Sequence, residues 1–101
     1  MNNKIEGKIT GITFFKLSEE TWDKLNVGTL LTLNRDNTNE YDTNAVQVLY
    51  QRKQIGWVDK KDNILIAQIL DQGTIITTTI IRTFSTLSDR PHLEVQYTWD
   101  G

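Results

Sequence analysis

Short segments in which apolar and polar side chains alternate are the feature that most restricts how this chain can fold. The clearest segment lies near the C-terminus, where Leu93, Val95, Tyr97 and Trp99 alternate with polar neighbours. A period of two is typical of a strand that buries one face. In addition, 30 of the 101 residues are Thr, Ile or Val, the β-branched residues that favour strands. The chain is therefore expected to be mainly β.

The same pattern predicts six strands, which cover residues 4–15, 29–35, 44–50, 55–58, 74–84 and 93–99. The first strand exchanges its buried face near Gly11, which indicates a bulge or a sharp bend at that point. Residues 51–54 contain no Asn-Gly pair, so we expect a four-residue loop there rather than a tight turn. A further turn is expected at residues 88–91, which include the single proline.

Two short helices are predicted between these strands. Residues 18–25 follow the pattern of an N-capping serine, Ser18, with two glutamates in the first turn. Residues 60–72 follow Asp59, a second capping residue, and end before Gly73, which suits a left-handed C-terminal stop. Their apolar stripe consists of Leu65, Ile66, Ile69 and Leu70.

The order of these elements predicts one small architecture. One strand and a helix precede three strands, and a second helix precedes the last two. Short connections between successive strands favour an antiparallel, partly open barrel similar to the oligonucleotide-binding fold. We therefore expect a mainly β, six-stranded barrel with two short helices, forming a single domain over residues 1–101.

Composition excludes several classes of protein. The chain has no cysteine and one histidine, which rules out disulfides, thiol catalysis and metal sites built from Cys or His clusters. No apolar run approaches the ~18–20 residues of a membrane span, and no signal peptide begins the chain, so we expect a cytoplasmic protein with no membrane partner. Neither a catalytic Ser-His-Asp order nor a phosphate-binding glycine loop is present. We expect no enzymatic activity and no cofactor.

The centre of the chain carries a more specific pattern. It reads Asn39-x-Tyr41-Asp42-x-Asn44-Ala45-Val46-x-Val48, followed by Ile55-Gly56-Trp57-Val58, and an aromatic pair ends the first predicted strand. These motifs resemble the HIRAN domain, most strongly over residues 5–84. The resemblance implies a barrel related to the oligonucleotide-binding fold. It also implies a module that binds the 3′ end of single-stranded DNA, as HIRAN domains of fork-remodelling DNA-repair translocases do.

Carried over residue by residue, the resemblance implies a nucleic-acid-binding site drawn from three segments of the chain. Its members are Phe14, Phe15, Asn39, Tyr41, Asp42, Trp57, Lys60 and Lys61. Bases would stack on one of the phenylalanines and on the tryptophan, and the lysines would contact phosphates. Asn39 and Asp42 would receive the terminal 3′-hydroxyl, because a carboxylate accepts a hydrogen bond from a hydroxyl and repels a phosphate.

Several of these residues also fit a purely structural role. Neighbouring residues of an extended strand point in opposite directions, so Phe14 or Phe15 is expected to face the core. Asp42 could cap the backbone of its own loop, as Asp often does in turns. Trp57 could pack into the core or at its rim.

A rival function is a protein-interaction or dimerisation module that does not bind DNA. Residues 74–84 form a threonine-rich strand that would suit pairing with a partner if it lay at an exposed edge. The net charge of −2 and Thr13, which stands where DNA-binding relatives have a basic side chain, favour this alternative.

Overall fold

The computed structural model describes residues 2–83 and 92–101. The strands are β1 (Asn2–Thr10), β2 (Leu30–Arg35), β3 (Val46–Tyr50), β4 (Lys53–Val58), β5 (Thr77–Thr83) and β6 (Leu93–Asp100). The helices are α1 (Glu19–Lys24) and α2 (Lys60–Asp71), and a 3₁₀ helix covers Ile12–Phe15. The predicted helix caps are present, since the side chains of Ser18 and Asp59 accept hydrogen bonds from the first turns of α1 and α2.

The six strands form a closed barrel in the order β1-β4-β3-β2-β5-β6, with every neighbouring pair antiparallel. The prediction of a mainly β, six-stranded barrel with two helices is confirmed. The barrel is closed rather than partly open. β1 pairs with β6 from Asn2 to Ile9, but with β4 only at Ile9 and Thr10. β1 therefore closes the barrel through one long ladder and one short one.

Alternating side chains of the strands fill the barrel, as the sequence predicts. On β6, for example, Leu93, Val95 and Tyr97 are fully buried. α2 adds Ile66, Ala67 and Ile69 to the same core, while Leu65 is 43% exposed. The residues that determine this core are those whose spacing is two in strands and three or four in the helix.

The first strand is shorter than predicted. β1 ends at Thr10, and Gly11 adopts a left-handed conformation with φ of 72°, from which the 3₁₀ helix starts. Phe14 and Phe15 therefore lie on this short helix and not on an extended strand. The bend predicted at Gly11 is present, but the prediction that the strand continues beyond it is wrong.

The turn between β3 and β4 also differs from the prediction. β3 ends at Tyr50 and β4 begins at Lys53, so only Gln51 and Arg52 connect them. Both have positive φ, of 48° and 71°, which is the combination found in type I′ hairpin turns. Gln and Arg are not the Asn and Gly that such turns prefer, and the strand pairing Tyr50↔Lys53 holds the turn in their place.

The threonine-rich strand is not an exposed edge. β5 pairs with β6 on one side, and Thr78 and Thr79 pair with β2 on the other. The amide of Ile80 also donates to the carbonyl of Thr29. β2 therefore occupies this edge of β5 at Thr78, Thr79 and Ile80. Residue 84, predicted to end this strand, and the turn predicted at 88–91 lie outside the described residues.

The first turn of α2 packs against β1 and β6 at a glycine. A Cβ at Gly7 would collide with Oδ2 of Asp62 and lie 3.2 Å from Cε2 of Tyr97. Among the described residues, neither Asp62 Oδ2 nor the Tyr97 hydroxyl has a hydrogen-bond partner, although both atoms are buried. Burial raises the pKa of Asp62 against the opposing effect of Lys61, and burial with the nearby Asp62 and Asp59 raises the pKa of Tyr97.

This environment predicts a pH-dependent stability. The folded protein binds the Asp62 proton more tightly than the unfolded chain does, so the contribution of Asp62 to stability falls as the pH rises above 3.8, the ordinary value of its pKa. The variant Asp62→Asn cannot titrate. Urea unfolding at several pH values should therefore show the wild-type free energy of unfolding falling relative to that of the variant between acidic and neutral pH. A difference that stays constant with pH would contradict this assignment.

Candidate functional site

A pocket of about 230 Å³ opens where four elements meet. β1 and β4 end beside it, β3 and α2 begin beside it, and the loop 36–45 between β2 and β3 forms its remaining wall. The residues that line it are Thr10, Asn39, Tyr41, Asp42, Ala45, Val46, Trp57, Val58, Lys60 and Asn63. Five of the eight predicted site residues are thus brought together, from two separate segments of the sequence, 39–42 and 57–60.

Asn39 gives the loop its shape. Its side-chain oxygen accepts hydrogen bonds from the backbone N–H groups of Tyr41 and Asp42, at 2.9 and 3.0 Å, and its amide donates to Oδ2 of Asp36 at 3.5 Å. This Asx turn directs the loop so that Tyr41 is 94% exposed while Asp42 is half-buried. Because its oxygen is used twice by the backbone, Asn39 acts on the site mainly through loop geometry.

Two hydrogen bonds fix the carboxylate of Asp42, which lines the pocket. Its Oδ1 accepts the backbone N–H of Asn44 at 2.9 Å, and its Oδ2 accepts the side-chain amide of Asn63 at 2.8 Å. The structure thus contains the loop cap expected of an aspartate here, together with a second bond that a cap does not require. Each carboxylate oxygen can accept a further hydrogen bond, so the group can still receive a ligand donor.

Asn63 is a residue of the site that sequence reasoning missed. It lies in the first turns of α2, is only 4% exposed, and lines the pocket. Its position could have been found from helical spacing. Asn63 lies three and four residues before Ile66 and Ala67, so its amide falls on the buried face of α2. Buried amides are almost always hydrogen-bonded, so this position predicts a specific polar partner.

Arg35 fixes the far end of the loop, a role that the sequence did not suggest. Its guanidinium donates to the carbonyls of Ala45 and Thr43, at 3.0 and 2.6 Å, and to Oδ1 of Asp71 at 3.1 Å. These bonds join the loop that carries Asp42 to the last turn of α2. The same helix therefore holds the loop from both of its ends, through Asn63 and Asp71.

Trp57 forms the opposite wall of the pocket. It lies on β4 between Thr10 of β1 and Gln47 of β3, and its side chain is half-buried. A Cβ at Gly11 would lie 3.0 Å from Cδ1 of its ring. The bend after β1 therefore packs directly on Trp57, which combines structural packing with a surface that faces the pocket.

Phe14 and Phe15 do not line the pocket. They lie beyond Thr10 on the 3₁₀ helix, with ring centroids 5.3 Å apart and planes at 82°. Phe14 is 80% exposed and Phe15 is half-buried. The pair therefore offers one accessible aromatic ring on the surface near the pocket.

The two predicted lysines, Lys60 and Lys61, lie beside different depressions of the surface. Lys60 lines the pocket, whereas Lys61 borders another depression with Glu6, Gly7, Lys8, Arg82 and Glu94. There Arg82 pairs with Glu94 and, at 3.3 Å, with Glu6. The hydrogen bond to Arg82 holds the pKa of Glu94 below its usual value, and the same bond raises that of Arg82. Charges in this depression largely neutralise one another.

Two further properties bear on the class of site. Within residues 2–83 and 92–101, no three His, Asp or Glu side chains are grouped so as to hold a metal ion. In the same ranges, no helix has the length and apolar character needed to cross a membrane.

The chain is similar to known domains in sequence and in structure. A family model described as the HIRAN domain matches residues 2–98. The crystal structure of the HIRAN domain of human HLTF has a TM-score of 0.76 and 21% identity, covering 96% of this chain and 74% of that chain. A crystal structure of a protein from Lactobacillus plantarum has a TM-score of 0.74 and 19% identity, covering 99% and 100% of the two chains. No curated protein sequence matches significantly. At these identities the two structures establish a shared fold.

Proposed function

We propose that this chain, which belongs to the HIRAN domain family, captures single-stranded DNA by its 3′-hydroxyl end in the pocket around Asp42. Membership of this family supports nucleic-acid binding in general, and a binding module rather than an enzyme. Recognition of the 3′ end is the further step that is proposed.

The observation that carries the proposal is the hydrogen-bonding of Asp42. Two donors, one from the loop and one from α2, hold its carboxylate at the wall of a pocket that also contains Trp57 and Tyr41. Hydrogen bonds of this kind keep a side chain in one orientation before a ligand arrives. A carboxylate so placed can accept a hydrogen bond from a free hydroxyl and repels a phosphate at the same point.

The pocket suits one terminal nucleotide better than a length of strand. Its volume of about 230 Å³ is below the ~300–1,000 Å³ of typical small-molecule sites. Tyr41, 94% exposed at the pocket, and Trp57 offer aromatic faces for the terminal base. A stacked base contributes about 1–3 kcal/mol. Phe14, exposed outside the pocket, would meet a preceding base.

Phosphate contacts in this proposal are few. Lys60 lies at the pocket and Lys61 is its neighbour on the first turn of α2, so one or two phosphates can be reached. Capture of one to three nucleotides does not require a positively charged protein, and the net charge of −2 is compatible with it.

Fluorescence anisotropy tests the proposal with labelled single strands of equal length that end in a 3′-hydroxyl, end in a 3′-phosphate, or are circular. The linear strands carry a 5′-phosphate, so the 3′-hydroxyl strand is the one of the three with a free backbone hydroxyl. We therefore expect binding to that strand alone. Equal affinity for all three would indicate a generic single-strand binder. Absence of binding to any of them would reject the proposed function.

Asp42→Asn should remove the preference between the two chemical ends. The amide keeps the size of the side chain and can accept from the hydroxyl through its oxygen, but it no longer repels a phosphate. The ratio of dissociation constants for the 3′-phosphate and 3′-hydroxyl strands should therefore fall toward one. Glu40→Gln is the matched control, since it removes one negative charge from an exposed position of the same loop that does not line the pocket. An unchanged ratio in Asp42→Asn would refute the role of Asp42.

The salt dependence of affinity should be shallow. With about two phosphates neutralised on a single strand, the slope of log affinity against log salt is expected near −1.4. Lys60→Gln should reduce the magnitude of that slope by about 0.7, since it removes one contact. Lys53→Gln, which changes the same charge at the distal β3–β4 turn, should leave the slope unaltered. A slope near −5 would mean about seven phosphate contacts, and would contradict end capture.

A further inference from the structure

β1 leaves part of its own edge without a strand partner. It pairs with β6 from Asn2 to Ile9, whereas its pairing with β4 begins only at Ile9. From Asn2 to Gly7, one side of β1 therefore has no neighbouring strand within the described ranges 2–83 and 92–101, and the first turn of α2 borders β1 only from Glu6 onward. This is the kind of edge that the sequence predicted for β5 and that barrel closure removes there.

The direction of the unused backbone groups follows from the antiparallel ladder. The carbonyl of Lys8 accepts the N–H of Asp59 at 3.2 Å, so Lys8 directs its backbone groups away from β6. Backbone direction alternates along a strand, and Lys4 and Glu6 therefore face the same open side. No backbone hydrogen bond joins Lys4 or Glu6 to another described residue on that side.

The side chains along this edge have alternating charge. Lys4, Glu6 and Lys8 are exposed on the outer face, while Ile5 lies on the inner face and is partly buried. Glu6 also pairs with Arg82 at 3.3 Å, but its side chain remains 57% exposed and can meet a further cation. An antiparallel copy of β1 with its twofold axis at Ile5 places Lys4 opposite Glu6 of the other copy, twice. A shift by one step in either direction would instead place Lys4 opposite Lys4, or Glu6 opposite Glu6. Only the central alignment is complementary in charge.

That alignment also satisfies the backbone. Lys4 and Glu6 are the residues whose N–H and C=O groups point outward, so each Lys4–Glu6 pair can exchange two hydrogen bonds. Between them the two Ile5 side chains meet as a non-hydrogen-bonded pair, the closer of the two pair types. The pairing stops at Lys8, whose carbonyl is already bonded to Asp59.

We propose that the free edge of β1 docks a second copy of this chain, as an antiparallel strand centred on Ile5. The interface is isologous, so it closes at a dimer and does not propagate. It does not depend on the proposed DNA end capture. Thr10 at each pocket lies five residues from the axis, so the two pockets would be separated by about 33 Å along the strand direction at ~3.3 Å per residue.

The first test is the mass of the full chain at increasing concentration, measured by analytical ultracentrifugation. One strand pair is a small and therefore weak interface, so the range should run from about 10 µM to about 1 mM. We expect the mass to rise from that of a monomer of 11.7 kDa toward twice that value and then to level off. A monomer throughout would overturn the proposal and would mean that the charges protect the edge from pairing.

Charge exchange identifies the interface. Lys4→Glu places glutamates opposite each other at both contacts, and Glu6→Lys places lysines there, so each variant alone should dimerise about tenfold more weakly. An equimolar mixture restores opposite charges at both contacts and should form the heterodimer, as should the double variant with itself. Lys53→Glu, which changes charge equally at the distal turn, should dimerise as the wild type does. A dimerisation affinity that these charge substitutions leave unchanged would overturn the β1 alignment.

Amide hydrogen exchange gives a readout independent of charge. The amides of Lys4 and Glu6 should become protected as the concentration rises, while those of Asn3 and Ile5, which face β6, should be protected at every concentration. Thermal melting of each variant establishes that it is folded. A dimer without new protection at Lys4 and Glu6 would also overturn the proposal. DNA binding by a monomeric variant would leave the proposed function intact.

Discussion

The short ladder between β1 and β4 is the constraint from which the rest of this architecture follows. Two residues of β1, Ile9 and Thr10, complete the closed barrel on that side. Because the ladder is short, the chain can leave β4 at Val58 and start α2 directly beside β1. The same ladder ends beneath the pocket, since Thr10, Trp57 and Val58 are all among its lining residues. Barrel closure and site formation thus use the same residues.

α2 connects the core to the pocket loop by polar contacts at both of its ends. Asn63 in its first turns bonds to Asp42, and Asp71 in its last turn bonds to Arg35, which in turn holds the carbonyls of Thr43 and Ala45. Ile66 and Ala67, buried between these contacts, fix the helix in the barrel. A loop that would otherwise depend on its own Asx turn is therefore positioned by the packing of the core.

The sequence predicted the features that depend on neighbours in the chain. Six strands, the N-terminal caps of both helices, the buried face of β6 and the resemblance to the HIRAN domain are confirmed, although the first strand ends before Gly11. The bend after β1 was only half predicted, because Ile12 and Phe14 continue the alternation of a strand in the sequence. In the 3₁₀ helix, which has three residues per turn, Ile12 is buried and Phe14 is 80% exposed. The two-residue turn at Gln51 and Arg52 was missed because pairing of its flanking strands, and not its residues, determines it.

Features that depend on distant contacts were harder to predict. An exposed edge was expected at β5, but closure of a barrel is decided by residues far apart in sequence. Thr78 and Thr79 of β5 pair with strands on both sides, whereas residues 2–7 of β1 pair only with β6. Lys60 and Lys61 are neighbours in the chain, yet successive residues of a helix point about 100° apart, and only Lys60 reaches the pocket. Asn63 was missed because its partner, Asp42, lies 21 residues earlier.

A carboxylate in a proposed DNA site requires a physical reason, because DNA is an anion. Asp42 would repel every phosphate of a strand that passed through the pocket, and so opposes binding along the interior of a strand. On a strand whose 5′ end carries a phosphate, the 3′-hydroxyl is the one backbone position that offers a donor and no charge. The negative charge of Asp42 thus becomes the source of selectivity for a hydroxyl end over a phosphate. This requires the carboxylate to keep its position when a phosphate approaches. The bonds from Asn44 and Asn63 hold it in place, which is why a buried amide on α2 matters to a site formed mainly by a loop.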